Sequence, residues 1–123
     1  MNNPDKINLA EKFSQYDDHW SPKIVGDLDD YHIKLVKVEG DFAWHAHDDE
    51  DEMFLVIDGE LDMDFRDRRV TLQSGEFIVV PKGPEHKPHA ATSCNIMILE
   101  RQGVVNTGDA EISNLTAGTG ERL

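Results

Sequence analysis

An all-β fold, a small sandwich or barrel entered through a short helix, is what this chain of 123 residues predicts. Three observations carry that reading. Short apolar-rich runs follow one another from Lys23 to Glu100. Turn signals separate them every 8–12 residues or so, the spacing of sandwiches and barrels. Within the runs apolar and polar residues alternate, as Leu61, Met63 and Phe65 do against Asp62 and Asp64, which is the period of a strand with one buried face.

Taken in order, residues 1–22 read as an N-terminal arm. Met1–Lys6 is a loose start, and Asn8-Leu-Ala-Glu11 has the form of a capping box. Leu9, Phe13 and Tyr16 follow at helical spacing and predict a helix over 9–16. Residues 23–102 read as the barrel. Lys23–Asp27 is a short strand, closed by a turn at Leu28-Asp29-Asp30. Tyr31–Glu39 alternates, with Tyr31, Ile33 and Leu35 on one face and His32 and Lys34 on the other; the phase slips at Leu35-Val36, where a bulge is expected. Gly40-Asp41 turns the chain into a strand Phe42–His47, and Asp48–Asp51 forms a loop. Glu52–Ile57 is apolar on both faces, Phe54 and Val56 against Met53, Leu55 and Ile57, and so needs cover on both sides.

Asp58-Gly59 has the composition of a hairpin turn. Leu61–Phe65 and Arg69–Leu72 flank a second turn at Arg66-Asp67-Arg68, Ser74-Gly75 is a third, and Glu76–Val80 runs up to Pro81-Lys82-Gly83-Pro84. His86–His89 and Asn95–Glu100 supply the last strands. Residues 103–123 are a polar tail, expected to be extended and partly disordered past Asp109.

Composition bounds the function. A net charge of −13 argues against nucleic acid or an anionic membrane as partner, since both need a basic face. No apolar run reaches the length of a membrane span, and Met1–Lys12 has no signal-peptide pattern. The single cysteine, Cys94, makes an intramolecular disulfide impossible. It reads as a small buried residue, and the expected compartment is the cytoplasm.

The chemistry concentrates in His45-Ala46-His47-Asp48-Asp49-Glu50-Asp51-Glu52. On a strand His45 and His47 share a face, with Cα atoms roughly 6.5–7 Å apart, so two imidazoles can lean toward one ion. A turn through the acidic run would bring Glu52 back on the neighbouring strand. Imidazole with carboxylate suits Fe, Mn, Ni, Zn or Cu better than Ca or Mg.

Two segments, Gly40-x4-His45-x-His47-x4-Glu52-x6-Gly59 and Gly75-x5-Pro81-x-Gly83-x2-His86, resemble the paired signature motifs of the cupin superfamily in order and separation. Gly40 stands one residue closer to His45 than in the usual motif, Ala90 replaces the asparagine that often ends the second motif, and the first loop is unusually acidic. The resemblance, to a small single-domain cupin of the RmlC-like group, implies an antiparallel jelly-roll barrel, the double-stranded β-helix. It also implies one divalent transition metal per chain on His45, His47, Glu52 and His86. Four protein ligands on an octahedral ion would leave two positions for water, dioxygen or a substrate.

The implied function is a metal-dependent enzyme on a small polar metabolite: an oxygenase, an isomerase or a lyase. A non-catalytic small-ligand binding or sensor domain and a sugar-phosphate isomerase-like cupin are the alternatives. Candidate catalytic groups are Glu52 and His89, the latter read more readily as an exposed or pocket-rim histidine; no further cofactor is implied. Lys82, Lys87 and Arg101 leave room for a basic spot, whereas Arg66, Arg68 and Arg69 read as salt partners of an acidic surface. His19 and His32 read as structural or exposed, Asp48–Asp51 as a solvated loop, and Phe42, Trp44, Phe54 and Phe65 as packing residues, Trp44 directed away from the two histidines. A homodimer is expected, because one small barrel cannot cover every apolar strand face.

Overall fold

The computed structural model describes residues 4–123; the start of the arm, residues 1–3, lies outside the described residues. Two long antiparallel ribbons build an antiparallel jelly-roll barrel. The first pairs β2 (Tyr31–Asp41) with β7 (His86–Arg101) from Tyr31↔Arg101 to Asp41↔His89. The second runs out along β3 (Glu52–Asp58) and β4 (Glu60–Phe65), turns at Arg66–Arg68, and returns along β5 (Arg69–Gln73) and β6 (Phe77–Val80). The ribbons join through β7, whose first residues pair with β4 (Phe65↔His86) and whose last pair with β3 (Glu52↔Glu100).

That topology corrects the reading of Asp58-Gly59. β3 and β4 run the same way along β7, so Gly59 bends one strand instead of reversing it. Its φ of +108° is open to glycine, and a Cβ there would stand 3.1 Å from the Cys94 Cα. Gly40 likewise bends β2 rather than ending it, with φ +78°, and the bulge expected at Leu35-Val36 lies between Val38 and Gly40. Residues 42–47 form no strand; they meet β7 at a bridge from His45 to His86 and at Phe42, whose N–H donates to the Pro88 carbonyl at 3.0 Å.

Val36, Val38, Phe54, Val56, Leu61, Met63, Val80, Ile96 and Ile98 fill the lumen. The lumenal face of β2 is the one carrying His32 and Lys34, both buried, not the face of Tyr31 and Ile33. Leu35 packs outward under the helix α1 (Leu9–Phe13), against Phe13 and Tyr16. The cap is as expected, with the Glu11 N–H donating to Asn8 Oδ1 at 3.0 Å. The helix stops short of 16: the Ser14 hydroxyl donates to the Glu11 carbonyl at 2.6 Å, drawing the backbone into a turn.

β1 (Lys23–Leu28) flanks β2. The tail is ordered, against expectation. Its last residues add β8 (Glu121–Arg122) parallel to β1, and the buried Lys23 ties it down by ion pairs to Asp18 and Glu121. Val104 and Thr107 are buried, and Asp109 clasps the first motif: its Oδ1 accepts the Ala46 N–H at 2.7 Å and its N–H donates to the Ala46 carbonyl at 3.0 Å. Among the described residues no helix is long and apolar enough to cross a membrane.

Candidate metal centre

Backbone pairing brings the two motifs together. The His45 and His86 amides each donate to the other's carbonyl, at 3.0 and 2.8 Å, and the Gly83 N–H donates to the His47 carbonyl at 2.9 Å. Glu52 arrives from elsewhere: its strand neighbours are β6 and β7, opposite Val80 and Glu100, not the segment carrying His45. The four side chains meet inside the barrel, with one donor atom from each within 4.8 Å of all the others. All four residues are buried.

Their hydrogen bonding fits a cation. The Nδ1 of His45 faces the Ala43 carbonyl at 2.9 Å and that of His86 faces the Pro84 carbonyl at 3.2 Å. A carbonyl only accepts, so both Nδ1 atoms carry the proton and both Nε2 atoms present a lone pair. His47 Nε2, His86 Nε2 and Glu52 Oε1 are buried without a hydrogen-bond partner. His47 Nε2 stands 2.9 Å and His86 Nε2 3.5 Å from that oxygen, in a geometry that makes no hydrogen bond. Three orphaned donors converging on one point incur a desolvation cost that a metal ion would relieve.

The protonation states agree. Burial, reinforced by His86, pulls the His45 imidazolium down to about 4, so the ring is neutral at pH 7. Burial alone would raise the Glu52 carboxyl, but Glu100, His47 and His86 around it hold it below the usual range and keep it ionised. Burial first, then Glu52, pushes Glu100 well above the ordinary carboxylate range, against the pull of Lys34.

A cavity of about 40 Å³ opens beside His45 and Glu52, room for a few waters. Its wall is Trp20, Val36, Phe42, Phe54, Pro88 and Ile98 with their apolar neighbours, and its other polar residues are Glu100 and Asn106. His89 is not brought to the cluster. It lies on the outward face of β7, between the buried Pro88 and Ala90, with Nδ1 2.7 Å from Asp41 Oδ1. Arg66 stacks on Trp44 at 3.9 Å and pairs with Glu85, and Arg69 is engaged by Asp62 and Asp64. Sequence reading missed Glu100 and Lys34; the run of small-period partners His32, Lys34, Val36 and Val38 was the available signal for which face of β2 turns inward.

The cupin domain family model matches residues 32–100. A cupin-2 domain containing protein from Shewanella frigidimarina NCIMB 400 has a crystal structure that superposes with a TM-score of 0.77 at 54% identity, covering 77% of this chain and 93% of that one. Protein NMB1881 from Neisseria meningitidis superposes with a TM-score of 0.73 at 31% identity, covering 79% of this chain and 99% of its own. The uncharacterized protein YdbB of Bacillus subtilis (strain 168) is 30% identical over 80 residues, which are 63% of this chain and 71% of that protein.

Proposed function

The chain belongs to the cupin domain family, and from that premise we propose a metal-dependent enzyme that binds a small polar metabolite at one divalent transition metal per chain. His45, His47, Glu52 and His86 are the ligands, as their set of imidazole and carboxylate donors suits Fe, Mn, Ni, Zn or Cu. The observation that carries the reading is the convergence of orphaned His47 Nε2, His86 Nε2 and Glu52 Oε1 beside an apolar-walled cavity. A metal bound there supplies Lewis acidity, and redox chemistry if it is Fe, Cu or Mn. The chain's own residues do the rest. Ala43 and Pro84 fix the ring orientations, Phe42 and Phe54 keep water out, and Glu52 is the candidate proton carrier beside the ligand.

The outward position of His89 gives the non-catalytic reading its one specific support, since it removes the second candidate acid from the cavity. A cavity wall of apolar residues, His45, Glu52, Glu100 and Asn106 is not the lining a phosphate group needs, so the sugar-phosphate reading has less support. The same proposal includes a homodimer: among the described residues β6 pairs with β3 alone, and its Phe77 and Val79 are 63% and 53% exposed on that edge strand. A cytoplasmic setting suits the free, buried Cys94.

The test is metal content with thermal melting. Wild type is expected to bind one ion per chain and, at 100 times the dissociation constant, to gain about 2.7 kcal/mol; His47→Ala should lose both. A chain that neither holds nor responds to any of these metals overturns the proposal. Oxygen uptake with Fe but not Zn selects an oxygenase, turnover with Zn selects an isomerase or lyase, and ligand binding without turnover selects the binding module.

A further inference from the structure

The cavity beside the candidate metal position has one outer wall. Of the residues lining it, Trp20 and Asn106 are half-buried and all the others are buried. A side chain that borders both the cavity and the solvent separates the two, so the mouth lies where these residues meet. Neither belongs to the barrel strands β2–β7. Trp20 stands in the arm before β1, and Asn106 in the tail after β7.

Trp20 is held there against its backbone preference. Its φ is +58°, in the left-handed region, where a bulky side chain is an outlier. Three hydrogen bonds keep it so. Its N–H donates to the Lys37 carbonyl at 2.8 Å, its indole Nε1 donates to the Glu39 carbonyl at 2.9 Å, and its carbonyl accepts from Asn106 Nδ2 at 3.4 Å. The indole stacks on Phe42 with ring centroids 4.8 Å apart, and Phe42 in turn meets the His45 ring edge-on at 5.3 Å. Strain that this many contacts sustain points to a task for the side chain.

Size decides the task. The cavity measures about 40 Å³, whereas a cavity that takes benzene measures about 150 Å³. Resting on the metal reading above, we propose that Trp20 is the specificity-determining residue of the site: it closes the mouth and confines the ligand to a short-chain, non-aromatic molecule. Such a ligand has about three or four non-hydrogen atoms in the cavity, since each water-sized group takes about 10–15 Å³.

The experiment loads the full chain with Co(II), whose visible spectrum reports a ligand at the metal, and titrates it with acetate and with benzoate. Both offer a carboxylate of the same charge, so the ring is the difference that matters. Wild type is expected to bind acetate, and to bind benzoate at least about tenfold more weakly, the low end of discrimination by pocket size. Glycine suits the left-handed backbone, so Trp20→Gly should keep one Co per chain and its acetate affinity while losing the discrimination. Trp20→Phe, which keeps a ring against Phe42, should retain most of it. Co-loaded wild type that binds benzoate as well as acetate, or binds neither, overturns the proposal, as does discrimination that survives in Trp20→Gly. Loss of Co, or of both affinities together, from that variant marks a packing role and also overturns it. If Trp20→Gly does not fold, Trp20→Asn, whose side chain tolerates this φ, is read in the same way; its failure to fold as well makes the residue structural and overturns the proposal. A wild type that takes up no Co overturns the metal reading, and this proposal with it, before either acid is added.

Discussion

Asp109 is one residue with two anchoring bonds, and both fall on Ala46, the residue between two of the candidate ligands. Asp109→Ala leaves the buried Ala46 amide unpaired, which costs about 1–3 kcal/mol, and it frees the tail beside His47. The expected result is a fall of several degrees in melting temperature and faster loss of metal to a chelator; unchanged values for both would show the clasp to be idle. Cys94 offers a second test. Burial pushes its thiol up to about 11 from 9. The sign follows directly: the folded state disfavours the thiolate, so this contribution is intact below pH 9 and is lost as pH rises toward 11. At pH 8 iodoacetamide should modify Cys94 only after denaturation, and rapid alkylation of the native chain would contradict its burial. At this scale the sequence was most legible. His45, His47, Glu52 and His86 are legible because their types and spacing are themselves the chemistry. Glu100 was hidden because a lone glutamate near a strand end reads as surface until the register sets it opposite Glu52.

The strands β1 to β6 were legible in approximate limits, but the strand expected at Phe42–His47 is absent, those expected at His86–His89 and Asn95–Glu100 are the two ends of the single β7, and β8 was not foreseen. Connections were less legible still. Asp-Gly composition says that φ must be positive at the glycine; it does not say whether the chain reverses or bends. The choice belongs to β7, which accepts β3 and β4 end to end along one edge and so makes Gly59 a corner. A hairpin glycine tolerates alanine poorly through φ alone, whereas this one also meets the Cys94 backbone. Gly59→Ala is expected to cost about 1–3 kcal/mol from backbone strain and more from that contact. Urea denaturation reads it directly, and an unshifted midpoint would mean that the corner is looser than its geometry implies. The tail misled for a related reason: its polar, glycine-rich composition resembles a disordered end, but Asn106, Thr107 and Asp109 spend their side chains on backbone and hydroxyl partners that hold it down.

For the molecule as a whole, the edge strand β6 is where a second copy would add. Phe77 and Val79 are exposed there on a chain of net charge −13, which repels itself everywhere except across uncharged surface. Val79→Lys is expected to turn a micromolar dimer into a monomer in sedimentation while leaving metal content intact; a wild type already monomeric would refute the dimer. The two-ribbon architecture has a last consequence, in time. β2 and β7 are joined only through the whole second ribbon, so no local segment contains the four ligands, and the donors assemble when the last strand docks. Such pairing makes for slow folding. A metal that recognises only the finished site cannot guide the search that builds it. In stopped-flow experiments the ion should leave the refolding rate nearly unchanged and slow unfolding by most of its binding free energy, acting as a latch on the native chain.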